Sequence, residues 1–244
     1  MMDAQAVDGY SFQDAVDAIL FARSTVLFRP LRKNVMRIAC LVSLFLLTRV
    51  SEAVFASEPD PKVIVKQVID AVGGDDKLLR LFRTRETVNV SSDPEKKAPE
   101  RESIYEPPKY WWTGKRERVK NEALPDEPAT FLVWAWTLGI LTDPSSKLEA
   151  IPDVVDSDKP LMGLRVSGTV TPPMDIYFDK AENRLARIDW RSDIHRFSDW
   201  KDVDGVKYPA KCIGFKKSTG NPWYFSNILE LERLKQLPDD LKRR

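Results

Sequence analysis

The sequence predicts an α+β domain: an N-terminal helix followed mainly by antiparallel β-strands. Three observations carry that reading. Ile64, Val65, Val68, Ile69 and Val72 recur at helical spacing and stop at Gly73-Gly74. Thr84–Ser91 (TRETVNVS) switches to polar/apolar alternation. From Leu161 onward short strand-like segments alternate with turn residues at a spacing of about ten, the pattern of an antiparallel sheet or barrel.

The elements follow in order. Proline suits a first helical turn, so Pro61–Val72 starts well, and glycine accepts the left-handed backbone of a helix exit. Asp75 can cap a short second helix through Leu81. Asp93–Glu100 is charged, carries proline and reads as a loop, as does Asn121–Pro128; Tyr110–Val119 between them reads as a strand. Thr130–Leu141 (TFLVWAWTLGIL) is apolar throughout, and periodicity leaves open a buried strand leading into a short helix. Lys147–Ile151 is expected to be a helical turn.

The meander then runs through strands at Gly163–Val170, Met174–Phe178, Leu185–Arg191, His195–Lys201, Val206–Phe215 and Trp223–Leu234. Turn chemistry separates them at Asp179–Asn183, Ser192-Asp193, Asp202–Gly205 and the stretch of Ser218, Gly220, Asn221 and Pro222.

Residues 1–56 read as a leader. Ile38–Leu47 is an apolar run of ten, preceded by Arg29, Arg32, Lys33 and Arg37 and followed by the small-residue exit Val54-Phe55-Ala56. Crossing a bilayer takes about 20 apolar residues, so a secretion signal fits better than an uncleaved anchor through 38–47. Met36 makes a well-proportioned start, which leaves residues 1–35 as an N-terminal extension expected to be a gene-start artefact. Residues 36–56 are then the signal peptide and 57–244 a single domain, expected in the periplasm. Six of the 38 Lys+Arg and five of the 37 Asp+Glu precede Ser57, leaving 32 of each. That balance gives no electrostatic case for nucleic acid. One thiol, Cys212, remains after processing, so the core and not a disulfide must hold the fold.

Catalytic and metal chemistry finds little footing. His195 is the only histidine, which excludes two-histidine zinc sites, and no G-x-S-x-G elbow supports a Ser-His-Asp triad. His195 reads as a strand-edge polar residue and Cys212, in KCIGF, as an inert core thiol. Asp179, Asp202 and Asp204 fall at turns, and Lys115, Arg116, Arg118 and Lys120 read as a solvated strand end. No catalytic residue, metal ligand or cofactor is assigned. The tryptophans are the candidate ligand contacts. Trp134 and Trp136 lie two apart and share a face if the segment is a strand, while Trp190 and Trp200 lie on neighbouring expected strands. Trp suits a cavity wall because it is large and carries one donor, although ordinary core packing is the favoured reading of the four.

Two segments together resemble a known class. They are VIVKQVIDAVGGDDKLLRL and the meander IYFDKAENRLARID, FSDWKDVDGVKYPAKCIGF and LPDDL. Their order is similar to that of exported bacterial LolA-like proteins, the periplasmic lipoprotein-carrier fold. The resemblance implies an antiparallel sheet curled into an unclosed half-barrel, with N-terminal and mid-chain helices covering it. It implies a non-catalytic carrier or binder of a lipid, an acylated protein or another apolar ligand, with an envelope protein as a further possible partner. The alternatives are an envelope interaction or scaffold domain with a self-filled core and, third, an envelope hydrolase. The sequence departs from the carriers in its Trp-rich middle, and no residue is assigned to the class's cavity arginine.

Overall fold

The computed structural model describes residues 60–114, 116–120 and 128–241. The extension 1–35, the signal peptide 36–56 and its apolar run 38–47 lie outside the described residues. So do Lys115, the side chains of Arg116, Arg118 and Lys120, and residues 121–127.

Helix α1 spans Pro61–Ala71. Proline opens it and the Asp60 carboxylate accepts the Lys62 N–H at 2.9 Å, a capping bond to one of the four donors a helix start leaves over. Ile64, Val68 and Ile69 form its buried stripe. The Gly74 N–H returns to the Ile69 carbonyl at 2.9 Å to close the helix end.

Eleven strands follow among the described residues: β1 (Phe82–Asn89), β2 (Glu100–Glu106), β3 (Tyr110–Thr113), β4 (Arg116–Lys120), β5 (Lys147–Asp156), β6 (Lys159–Ser167), β7 (Met174–Asp179), β8 (Leu185–Trp190), β9 (Asp193–Val203), β10 (Val206–Lys216) and β11 (Pro222–Arg233). They form one sheet in the order β4-β3-β2-β1-β11-β10-β9-β8-β7-β6-β5, every pairing antiparallel. The first strand thus pairs with the last, while β4 and β5 stay as edges. The expected unclosed half-barrel with helices over it is the architecture adopted.

Helix α2 (Pro128–Trp136) occupies the apolar segment whose periodicity was undecided. Phe131, Trp134, Ala135 and Leu138 are buried at helical spacing, and a 3-10 turn follows at Gly139–Thr142. Both helices pack with Leu164, Ile176 and Ile188 of the sheet into the main core. A second cluster joins Phe82, Tyr208, Ala210 and Ile228. A third lies around Ile104, Tyr110 and Trp112 beneath Leu241.

Several expectations need correction. The helix expected through Leu81 is only a 3-10 turn, Asp75–Lys77. Lys147–Ile151 is not a helical turn but the start of β5, where cross-strand pairing to β6 overrides local propensity. Tyr110–Val119 is a hairpin broken by Gly114 at φ 58°. β2 begins at the end of the expected loop at 93–100 and runs into a stretch that had no assignment.

Candidate functional site

Strand register places the side chains of the concave face in rows. Val88, Ser226, Cys212 and Phe197 stand opposite one another across β1, β11, β10 and β9. Tyr224, Gly214, His195 and Ile188 form the next row. Gly214 makes room in that row: a Cβ there would lie 3.1 Å from the Tyr224 Cβ and 3.3 Å from the His195 ring.

Between this face and α2 is a cavity of about 540 Å³. That is within the usual range of small-molecule sites, roughly 300–1,000 Å³. Its roof is one stripe of α2, Ala129, Leu132, Val133 and Trp136, at helical spacing. The opposite stripe of α2 faces the core. The same helix therefore seals the domain and covers the cavity. The floor is mostly apolar, with Phe197, Ala210, Cys212 and Ile228 contributing.

One end of the cavity is polar. Glu86 is 5% exposed and lines it. Its Oε1 accepts from Ser103 Oγ at 2.8 Å, Arg101 Nε at 3.0 Å and Tyr105 OH at 3.1 Å. Arg101 also lies 5.3 Å over the Trp111 ring. Burial is the largest single influence on Arg101 and would lower its pKa, but the charge and hydrogen bond of Glu86 together with Tyr105 and Tyr224 outweigh it, and the net shift is upward. Burial, and then Glu86, push the Tyr105 phenol well above its ordinary range. Burial does the same to Tyr224. This is a neutral ion pair surrounded by un-ionised phenols, in a cavity otherwise walled by hydrocarbon.

His195 lines the cavity and is 7% exposed. Burial lowers its pKa to about 4, with Asp193 pulling weakly the other way. Its Nδ1 has no hydrogen-bond partner among the described residues, and its ring meets the edges of Trp223 and Tyr224. A general base needs a second group that orients the imidazole, and among the described residues none bonds the His195 Nδ1. Burial pushes the Cys212 thiol up, the reverse of nucleophile activation. Asp179 accepts the N–H groups of Ala181 and Glu182, and Asp202 that of Gly205, which are turn duties. Among the described residues no three His, Cys, Asp or Glu side chains gather as a metal site.

The four candidate tryptophans separate. Trp136 and Trp190 line the cavity; Trp134 and Trp200 are not among its lining residues. Trp134 and Trp136 do not share a face, because helix and not strand geometry puts residues two apart on opposite sides. Trp134 is buried in the core. Trp200 is half-buried beneath Arg184, whose guanidinium lies 5.4 Å from the ring. Trp190 is buried with its Nε1 donating to the Pro172 carbonyl at 2.8 Å.

Glu86, Arg101 and Tyr105 were not among the candidates. A signal for Glu86 was present in TRETVNVS. Period two puts Glu86 in phase with Thr84, Val88 and Val90, a lone charge on the apolar-facing side. Arg101 lacked any such signal, because β2 was not recognised.

No protein-family model matches the chain, and no curated protein matches it. Solved structures do. A LolA superfamily protein from Nitrosomonas europaea superposes with a TM-score of 0.48 at 10% identity, over 75% of this chain and 97% of that one. A putative outer membrane lipoprotein-sorting protein domain from Vibrio parahaemolyticus gives 0.48 at 10% identity, over 73% and 94%. A DUF1329 family protein from Desulfovibrio piger gives 0.44 at 12% identity, over 74% and 96%. At these identities the likeness is one of chain path alone.

Proposed function

We propose that this chain is a non-catalytic, exported carrier or binder of an apolar ligand: a lipid, an acylated protein or a molecule of like character. The cavity between the concave sheet face and α2 is the observation that carries the reading. Each buried methylene gains about 0.8 kcal/mol on leaving water, so an apolar lining of this extent favours an acyl chain over a polar metabolite. A self-filled scaffold core is disfavoured by a space of about 540 Å³ left between roof and floor. A hydrolase is disfavoured by a neutral, unoriented His195 and a desolvated Cys212. The leader expected at 36–56 supports a periplasmic location, and Trp136 and Trp190 are the tryptophans proposed to touch the ligand. Native mass spectrometry of the exported protein, followed by organic extraction, is the test. Co-purified acyl-chain compounds, or uptake of added fatty acid at one per chain, are expected. A protein that stays empty and takes up no acyl compound overturns the reading.

A further inference from the structure

Two neighbouring rings of the cavity wall each carry a buried nitrogen without a partner. Among the described residues, neither the His195 Nδ1 nor the Trp223 Nε1 has a hydrogen-bond partner, and both residues line the cavity. Their ring centres are 6.4 Å apart, with the planes at 75°. A buried polar group left unmatched costs free energy, so this corner is where a polar atom of a ligand gains most. Gly214 keeps the corner open. Its backbone lies outside the left-handed region and does not call for glycine, yet any side chain there would crowd His195 and Tyr224.

The charges beside the two rings cancel. Lys216 lies 4.1 Å from the centre of the Trp223 ring and bonds Asp193 Oδ1 at 2.7 Å. Along the wall, Arg101 is closed onto Glu86 in the same way. With its pKa lowered to about 4, the imidazole is uncharged at neutral pH, so one ring nitrogen carries a proton and the other accepts. An indole N–H only donates. A carboxylate or phosphate only accepts, and it would shed its water where Lys216 and Arg101 already have their anions. A bare hydrocarbon leaves both nitrogens unmatched. A hydroxyl serves both, accepting from the Trp223 N–H and donating to the imidazole. We infer that the cavity selects an uncharged long-chain alcohol, its hydroxyl held between His195 and Trp223 and its chain lying under α2. This rests on the cavity reading above and adds the class of ligand to it.

Equilibrium dialysis of the exported protein at pH 8 separates the two claims. The probes are 1-decanol, 1-chlorodecane and decanoate, each below its aggregation concentration. Decanol is expected to bind roughly tenfold more tightly than chlorodecane, the worth of one or two buried hydrogen bonds. A cavity that reads only hydrocarbon gives the opposite order, because the chloride is the more hydrophobic of the two. Decanoate should also bind more weakly than decanol. Trp223→Phe, which keeps a ring and removes the donor, and His195→Phe should each weaken decanol severalfold and leave chlorodecane unchanged. Chlorodecane or decanoate bound as tightly as decanol, or an equal effect of Trp223→Phe on decanol and chlorodecane, overturns the hydroxyl subsite and leaves the apolar cavity standing. Failure of all three probes to bind overturns the cavity reading, and the subsite with it.

Discussion

Gly73 and Gly205 meet backbone to backbone: a Cβ on Gly73 would lie 2.4 Å from the Gly205 carbonyl oxygen. The exit of α1 is seated on the β9–β10 turn, where the Lys207 N–H also donates to the Val72 carbonyl at 3.3 Å. The double glycine and the DGV turn, far apart in sequence, are two sides of one contact. Gly73 sits at φ 111°, so Gly73→Ala carries both backbone strain of about 1–3 kcal/mol and a clash with backbone. Gly220→Ala, at φ 69° in open space, carries mild strain alone. In thermal melts Gly73→Ala should fall well below Gly220→Ala; equal melting temperatures would show that the α1 exit can shift off the turn.

Protonation of His195 links stability to pH. Its folded pKa is lowered to about 4 from an ordinary 6.5. Between those values the unfolded chain takes up a proton that the folded chain refuses. Its contribution is complete above pH 6.5 and is lost as pH falls towards 4, a cost of about 3 kcal/mol. Urea unfolding at pH 7 and pH 4.5 should show a larger loss for the wild type than for His195→Phe. The same pH response in both proteins would refute the assignment.

Glu86 holds three donors on one oxygen. Glu86→Ala strands Arg101, Ser103 and Tyr105 together, and breaking a buried ion pair by removing one partner costs roughly 3–5 kcal/mol. Glu86→Gln keeps an acceptor for Ser103 and Tyr105 and should cost less. Denaturant midpoints in that order are expected.

The two faces of α2 predict different outcomes for its tryptophans. Trp134→Ala empties a core site and should cost about 3–5 kcal/mol. Trp136 lines the cavity and is only half-buried, so Trp136→Ala should cost less and weaken ligand uptake more. With single Trp→Phe changes, the fluorescence response to a long-chain fatty acid should be lost for Trp136 or Trp190 and kept for Trp134 and Trp200. A response unaffected by all four changes would move the ligand elsewhere.

Much of this fold was legible because its strands are bounded by strong turn residues. Asp179, Asp202 and Gly205 mark turns whose backbone geometry demands them, and the strands between needed no further signal. The first half was less legible. Whether Thr130–Leu141 was strand or helix depended on which neighbours covered it, and an all-apolar segment does not encode that. β5 and β2 are charged and weakly patterned, and they become strands because β6 and β1 supply the other half of their ladders. The site suffered most. Its polar end joins residues from two strands, one of them unrecognised, and pairing register is a property of the folded sheet.

The open edge at β5 has a consequence of its own. Its register with β6 slips between Ile151 and Val154, and Pro152 lies in the slip with no N–H to offer. An incompletely rolled sheet exposes a strand on which another chain could grow. Here the irregularity breaks the regular row of donors and acceptors that such templating requires. The β5 edge is therefore a poor template for a second copy of the chain, open though it is.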